Sequence, residues 1–270
     1  MPAWRLSEDT LTVHEFDVGA IDGPDSTFVA HVVLCRTENK QTVSAAESVV
    51  ETAEMGPPLG EASQGIHALG TTLLDPDGLP PDKRRQIKVF VDDRMKEAKA
   101  QQELRERLSE PVRKALMLRE YVILPAYESY TEEVTRWRFS CAGFVLRAYE
   151  EARIKLLDPS IPDVTLDELK KAYPDWADDL DRQKIRERLG IEGDGPWPVV
   201  LPGYVMNSLK RTSAEIESTP YRPQRGDEYF TDGSPVSLTE AVPSPAKGKG
   251  RKPVSPREPG GESMSVDGAE

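Results

Sequence analysis

The run Phe139-Ser-Cys-Ala-Gly-Phe-Val-Leu-Arg-Ala-Tyr149 constrains this chain more than any other segment. Ser140 is a good helix N-cap, because its hydroxyl accepts an N–H that the first turn leaves free. From Cys141, the residues Phe144, Val145, Ala148, Tyr149 and Ala152 recur at the i, i+3, i+4 spacing of one apolar helix face. The pattern predicts a helix that begins at Cys141 and buries one side against another layer. A thiol in that first turn feels the helix dipole and the free N–H groups. Both favour the thiolate, and the thiolate is the nucleophile. A buried cysteine packing as a small hydrophobe fits the same position.

The chain has 270 residues, enough for one large domain or two small ones. Two cysteines make no disulfide framework, and neither CxxC spacing nor a Cys/His cluster points to zinc, so no metal and no organic cofactor is expected. A formal net charge of -12 argues against a general nucleic-acid surface. The first residues, Met-Pro-Ala-Trp-Arg-Leu-Ser-Glu-Asp, lack the apolar stretch of a signal peptide. No segment approaches the roughly 18 apolar residues of a membrane span. A soluble, cytoplasmic, reduced protein is the expectation.

Residues 10–54 read as strands. Thr27-Phe-Val-Ala-His-Val-Val-Leu-Cys35 is the clearest, with His31, Val33 and Cys35 on one face and Val32 and Leu34 on the other. A second short strand is read within Ser44 to Glu54, at Ser48-Val-Val-Glu-Thr-Ala53, although the alanines of that segment leave a helix open. Residues 55–82, rich in Gly and Pro, read as a long loop. Residues 83–108 read as a charged helix, and Ser109-Glu-Pro111 as a new helix start running to Tyr121. Tyr127, Tyr130 and Trp137 fall in the connection to the Cys141 helix.

After that helix come a turn at 158–163 and a capping-box pattern at Thr165 and Glu168. A charged helix is expected over 176–189, with Gly190 as its C′ residue. A short helix follows at 204–210, and then a closing turn and strand at 221–230. Residues 231–270 are dominated by Pro, Gly, Ser, Lys and Glu and read as a disordered tail. The expected organisation is one α+β domain over 1–230, a small antiparallel sheet packed on the Cys141 helix with extra charged helices, followed by the tail at 231–270.

The Cys141 segment, Phe139 to Ile154, resembles the nucleophile helix of NlpC-type papain-like enzymes. There a cysteine is followed by a small residue, a glycine, two apolar residues and a later aromatic. In the usual order of those enzymes the histidine strand follows the cysteine. Here His14, His31 and His67 all precede Cys141. That order is similar to the circularly permuted branch, which includes the YiiX-type and lecithin-retinol-acyltransferase-type proteins. Ala30-His-Val-Val-Leu34 resembles the branch's histidine strand, and Val49-Val-Glu51 the following strand with its orienting polar group. The resemblance implies Cys141 as nucleophile, His31 as base, Glu51 as orienter and the Cys141 N–H in an oxyanion hole. It implies acyl transfer from a peptide, other amide, isopeptide or ester substrate through a thioester.

Other readings stand beside these. His67 and His14 compete with His31, and Glu54 and Thr52 with Glu51. Cys35 lies roughly 13 Å along the strand from His31, too far for proton transfer, and reads as core. Tyr127 and Tyr130 can offer hydroxyls, but packing suits them better. Arg225-Gly226-Asp227 reads as a turn. The basic cluster from Lys247 to Lys252 offers a nuclear-import address or merely a solubilising tail. The competing function class is a catalytically silent interaction protein whose charged helices bind a protein partner.

Overall fold

Val29–Cys35 is an almost uninterrupted apolar run, and Val32, Val33, Leu34 and Cys35 are all buried. A strand covered on both faces belongs at the centre of a sheet, and this one does. The structure is a computed structural model that describes residues 10–13, 15–22, 29–36, 41–44, 49–56, 59–65, 68–70, 79–112, 138–173 and 176–228. The first strands in chain order are β1 (Thr10–Val13), β2 (Val18–Asp22), β3 (Val29–Cys35), β4 (Gln41–Ser44), β5 (Val49–Met55), β6 (Leu59–Gly65) and β7 (Ala68–Gly70). Five of them form one antiparallel sheet in the order β6-β5-β3-β2-β7, while β1 and β4 pair separately. The molecule is thus mixed α+β with a small antiparallel sheet.

The expected loop at 55–82 is corrected in part, because β6 and β7 lie within it. Leu59-Gly-Glu-Ala-Ser-Gln-Gly65 contains no β-branched residue and no alternation, so its sequence carries no strand signal. Pairing supplies what propensity lacks. β6 runs the full length of β5, from Val49 opposite Gly65 to Met55 opposite Leu59, and Thr52 Oγ1 donates to the Ala62 carbonyl at 3.1 Å.

Helix α1 (Pro81–Arg105) confirms the charged helix read from the sequence. It buries Ile87, Phe90 and Val91 at i, i+3, i+4 spacing and turns its charges outward. Residues 110–112 are helical as well. Helix α2 (Cys141–Glu151) begins where expected. Ser140 is extended and its Oγ accepts the Gly143 N–H at 3.0 Å. The phenyl rings of Phe90, Phe139 and Phe144 meet with centroids 5.7 to 6.1 Å apart, so α1 braces the first turn of α2. Lys83 Nζ donates to the Ala152 carbonyl at 2.6 Å and places a cation at the helix's negative end.

The remaining elements are β8 (Asp163–Val164), α3 (Leu166–Ala172), α4 (Gln183–Arg188), β9 (Trp197–Pro198), α5 (Pro202–Leu209) and α6 (Ser213–Ser218). Thr165 and Glu168 form the expected capping box on α3, and Thr212 and Glu215 form a second on α6. The helix expected over 176–189 is cut down to α4, with residues 177–182 in turns. In that turn the Arg186 Nη1 donates to the carbonyls of Leu180 and Asp181 at 2.8 and 3.0 Å, which satisfies acceptors left without a helical partner. Gly190 has the left-handed φ of 81° expected at C′. Of the closing strand expected at 221–230, Tyr221 makes a bridge to Leu157, and residues 225–228 form a turn containing Arg225-Gly226-Asp227.

One hydrophobic cluster runs from Phe16 to Ile216 through the sheet and the helices. Among the described residues, no helix is long and apolar enough to cross a membrane. His14, His67, Tyr127, Tyr130, Trp137 and residues 231–270 lie outside the described residues.

The closing turn is locked onto α5. Asn207 Nδ2 donates to the Gly203 carbonyl at 3.1 Å and to the Asp227 carbonyl at 2.8 Å. A Cβ at Gly203 would stand 2.3 Å from the Glu228 carbonyl oxygen and 2.7 Å from that of Asp227. Backbone atoms cannot step aside as a rotamer does. Gly203→Ala is expected to lower the unfolding free energy by about 1–3 kcal/mol in urea melts. Gly56→Ala, which meets open space, should shift it by no more than about 0.5 kcal/mol.

Candidate active site

The site forms where two strands part. Cys35 donates its N–H to the Asp17 carbonyl and accepts the Phe16 N–H, both at 2.8 Å, so its main-chain groups face the β2 side. Alternation then turns those of Leu34 and Val32 toward β5. The β3–β5 ladder pairs Cys35 with Thr52 and Leu34 with Ala53 and stops there, while Glu54 and Met55 continue along β6. The Val32 N–H therefore meets no strand. It donates to the sulfur of Cys141, which the first turn of α2 brings into the gap. The Ala142 N–H donates to the same sulfur.

His31 stands one residue before Val32, and its imidazole is hydrogen-bonded to Cys141. On its other side, His31 Nε2 lies 3.6 Å from Glu54 Oε2. That separation is long for a hydrogen bond and acts as an ion-pair contact. Cys141 is 1% exposed, whereas the side chains of His31 and Glu54 keep 21% and 20% of their surface. The sulfur is inside, and the imidazole links it to solvent.

Burial alone would press the imidazole toward its neutral form. The negative charge of Cys141, its hydrogen bond and the Glu54 carboxylate outweigh that, and carry the His31 pKa up to about 10. For Cys141, burial pushes the thiol up. The imidazolium charge, the His31 hydrogen bond and the Val32 and Ala142 N–H groups prevail and bring it below the ordinary thiol value. Each group thus favours the charged form of the other.

The structure brings Cys141 and His31 together and leaves Glu51 apart. Glu51 is exposed, and its carbonyl accepts the Arg36 N–H at 2.7 Å. Because Thr52 lies opposite Cys35, Thr52 and Glu54 share a face with His31, and Glu51 points to the other. The assignment of Glu51 as orienter is corrected for that reason, and Glu54 occupies the position beside the imidazole. Only the register separates the two glutamates, and a short run of sequence does not disclose it.

Cys35 is fully buried. Desolvation and the nearby Asp17 charge raise its thiol well above the ordinary value, so it stays protonated. Tyr149 of α2 donates its hydroxyl to the Phe16 carbonyl at 2.8 Å in the same region. This contact fastens the far half of α2 to the turn that leads into β2. Phe16 itself adopts a left-handed φ of 68°, which sequence reasoning missed and which no local residue pattern announces. Among the described residues, no group of His, Cys, Asp and Glu is arranged to hold a metal ion.

No family model matches the chain, and no curated protein or solved structure matches it either. The reading of the site therefore rests on its own geometry.

Alkylation by iodoacetamide, followed peptide by peptide, separates Cys141 from Cys35. Cys141 is expected to gain its labelling rate at lower pH than an ordinary thiol, which speeds up roughly tenfold for each pH unit below its own value. In His31→Ala, that ordinary rise should return. Cys35 should stay unlabelled in the folded chain.

Proposed function

We propose that this chain is a thiol hydrolase or acyltransferase of the permuted papain-like kind. It would take the acyl group of an amide, isopeptide or ester onto Cys141. The observation that carries the reading is the hydrogen-bonded Cys141–His31 pair with Glu54 behind the imidazole. Supporting it is the order of the parts: a histidine strand, then a strand bearing a carboxylate, then a helix whose first residue is the cysteine. Both cysteines are free thiols, which suits a reducing compartment such as the cytoplasm.

The chemistry follows from the placement of the groups. The Cys141 thiolate attacks the acyl carbon, and the carbonyl oxygen gains negative charge. Ala142 N–H faces the sulfur, Gly143 N–H bonds Ser140 Oγ, and Phe144 N–H bonds the Ser140 carbonyl. Among the described residues no partner takes the Cys141 N–H, so this group is the first-turn donor available to the oxyanion. His31, already protonated, gives its proton to the departing amine or alkoxide as the thioester forms. It then takes a proton from water or from another acceptor as the thioester is resolved. Glu54 is a positioning residue that fixes the imidazole's orientation and favours its charged form.

A panel of p-nitrophenyl acyl esters with intact-mass detection tests this. The reading predicts a single acyl adduct on Cys141 that is absent in Cys141→Ala. His31→Ala should slow acylation by roughly a hundredfold or more. Glu54→Gln should slow it about tenfold and move the alkaline limb of the pH profile to lower pH, since losing the carboxylate lowers the His31 pKa. Glu51→Gln should leave both unchanged. Acylation that ignores His31→Ala, or that falls as far in Glu51→Gln as in Glu54→Gln, would sink the assignment.

A further inference from the structure

The Cys141 sulfur is enclosed in an unusual way for a group that must meet a substrate. It accepts N–H groups from Val32 and Ala142, is hydrogen-bonded to His31 and is 1% exposed, while the His31 side chain remains 21% exposed. Of the groups bonded to the sulfur, only the His31 side chain keeps surface in solvent. The only other thiol, Cys35, lies four residues beyond His31 on the same strand, roughly 13 Å away by strand rise, and is fully buried. No second thiol stands ready to trap Cys141 as a disulfide.

We propose that Cys141 is also a site of reversible oxidation by hydrogen peroxide, and that the resulting sulfenic acid switches the acyl-transfer site off. This inference rests on the same Cys141–His31 pair as the acyl-transfer reading. The thiolate attacks one peroxide oxygen, an S–O bond forms and the O–O bond breaks. The leaving hydroxide takes the proton of the His31 imidazolium and departs as water. Sulfur is oxidised by two electrons, peroxide is reduced by two, and His31 is left neutral. The neutral sulfenic acid is a far weaker nucleophile toward an acyl carbon than the thiolate. An external thiol restores Cys141 by forming and then exchanging a mixed disulfide.

An ordinary thiol is about 3% ionised at pH 7, and a lowered thiol value raises that reactive population. The lower basicity of the sulfur gives part of this back, and a rate roughly tenfold above free cysteine is expected. The test uses the full chain, reduced and treated with hydrogen peroxide in the presence of dimedone, with peptide mass spectrometry. A parallel sample without dimedone receives dithiothreitol and then the p-nitrophenyl acyl ester.

The expected result is a dimedone adduct on Cys141, formed roughly tenfold faster than on free cysteine. It should be slowed in His31→Ala and in Glu54→Gln, each checked for fold by circular dichroism, and acylation should return after dithiothreitol. Oxidation no faster than free cysteine, with acylation intact, would overturn the proposal and leave the acyl-transfer reading standing. Direct passage to the sulfinic acid, with acylation not recovered by dithiothreitol, would overturn reversibility. A Cys141 that reacts with neither reagent would overturn both readings.

Discussion

The first turn of Cys141–Glu151 is held against Val29–Cys35 by the Val32 N–H, which reaches the Cys141 sulfur at the point where the β3–β5 ladder has ended. Had the ladder continued past Leu34 and Ala53, Val32 would have bonded to a strand and the sulfur would have had no place to enter. The interruption thus turns an unspent sheet donor into a donor for the Cys141 sulfur. The rest of the helix is fixed around this contact. Phe90 of Pro81–Arg105 packs on Phe139 and Phe144 beside the first turn, Tyr149 reaches the Phe16 carbonyl, and Lys83 sits on the last turn. A helix tied at both ends holds its first residue in place without help from loops.

A buried ion pair is expensive to form, because both charges leave water. Three features offset that cost here. The sulfur receives two main-chain donors, the imidazole keeps part of its surface in solvent, and Glu54 supplies a second negative charge to it. The pH dependence of stability follows from the two shifts. The His31 pKa is raised when folded, so its contribution is complete below its unfolded value of 6.5 and is lost as pH climbs through about 10. The Cys141 pKa is lowered when folded, so its contribution is complete above the ordinary thiol value of 9.0 and is lost as pH falls through the depressed one. Between those losses the pair is intact. Cys35, on the same strand, shows the opposite outcome: with burial and the Asp17 charge but no cation beside it, the thiol stays protonated.

Sequence carried the helix start and the central strand because each is written locally, whereas His31 as the partner of Cys141 came from the family resemblance. Ser140 announces the cap, and the apolar run from Val29 announces a strand covered on both faces, while the order of residues left His14, His31 and His67 all upstream of Cys141. Glu54 was harder, since Glu51, Thr52 and Glu54 differ only in which face they present, and the face is set by a register that Arg36, Cys35 and Leu34 share with a strand some sixteen residues away. Leu59–Gly65 was invisible as a strand, because its small and polar residues form one only when Val49–Met55 offers its edge. The shortening of the helix before Arg188 goes with Arg186 guanidinium bonds to the Leu180 and Asp181 carbonyls, and local propensity does not contain those.

The central claim is that His31 and Cys141 share one proton as an ion pair at neutral pH. Proton NMR of the imidazole ring hydrogens, recorded against pH on the full chain and on Cys141→Ser, reads it directly. His31 should remain protonated far above its ordinary value of 6.5, toward about 10, and should fall back toward that ordinary value once the sulfur is replaced by a hydroxyl. A His31 that titrates near 6.5 in the native chain, unmoved by Cys141→Ser, would contradict the ion pair and the catalytic reading built on it.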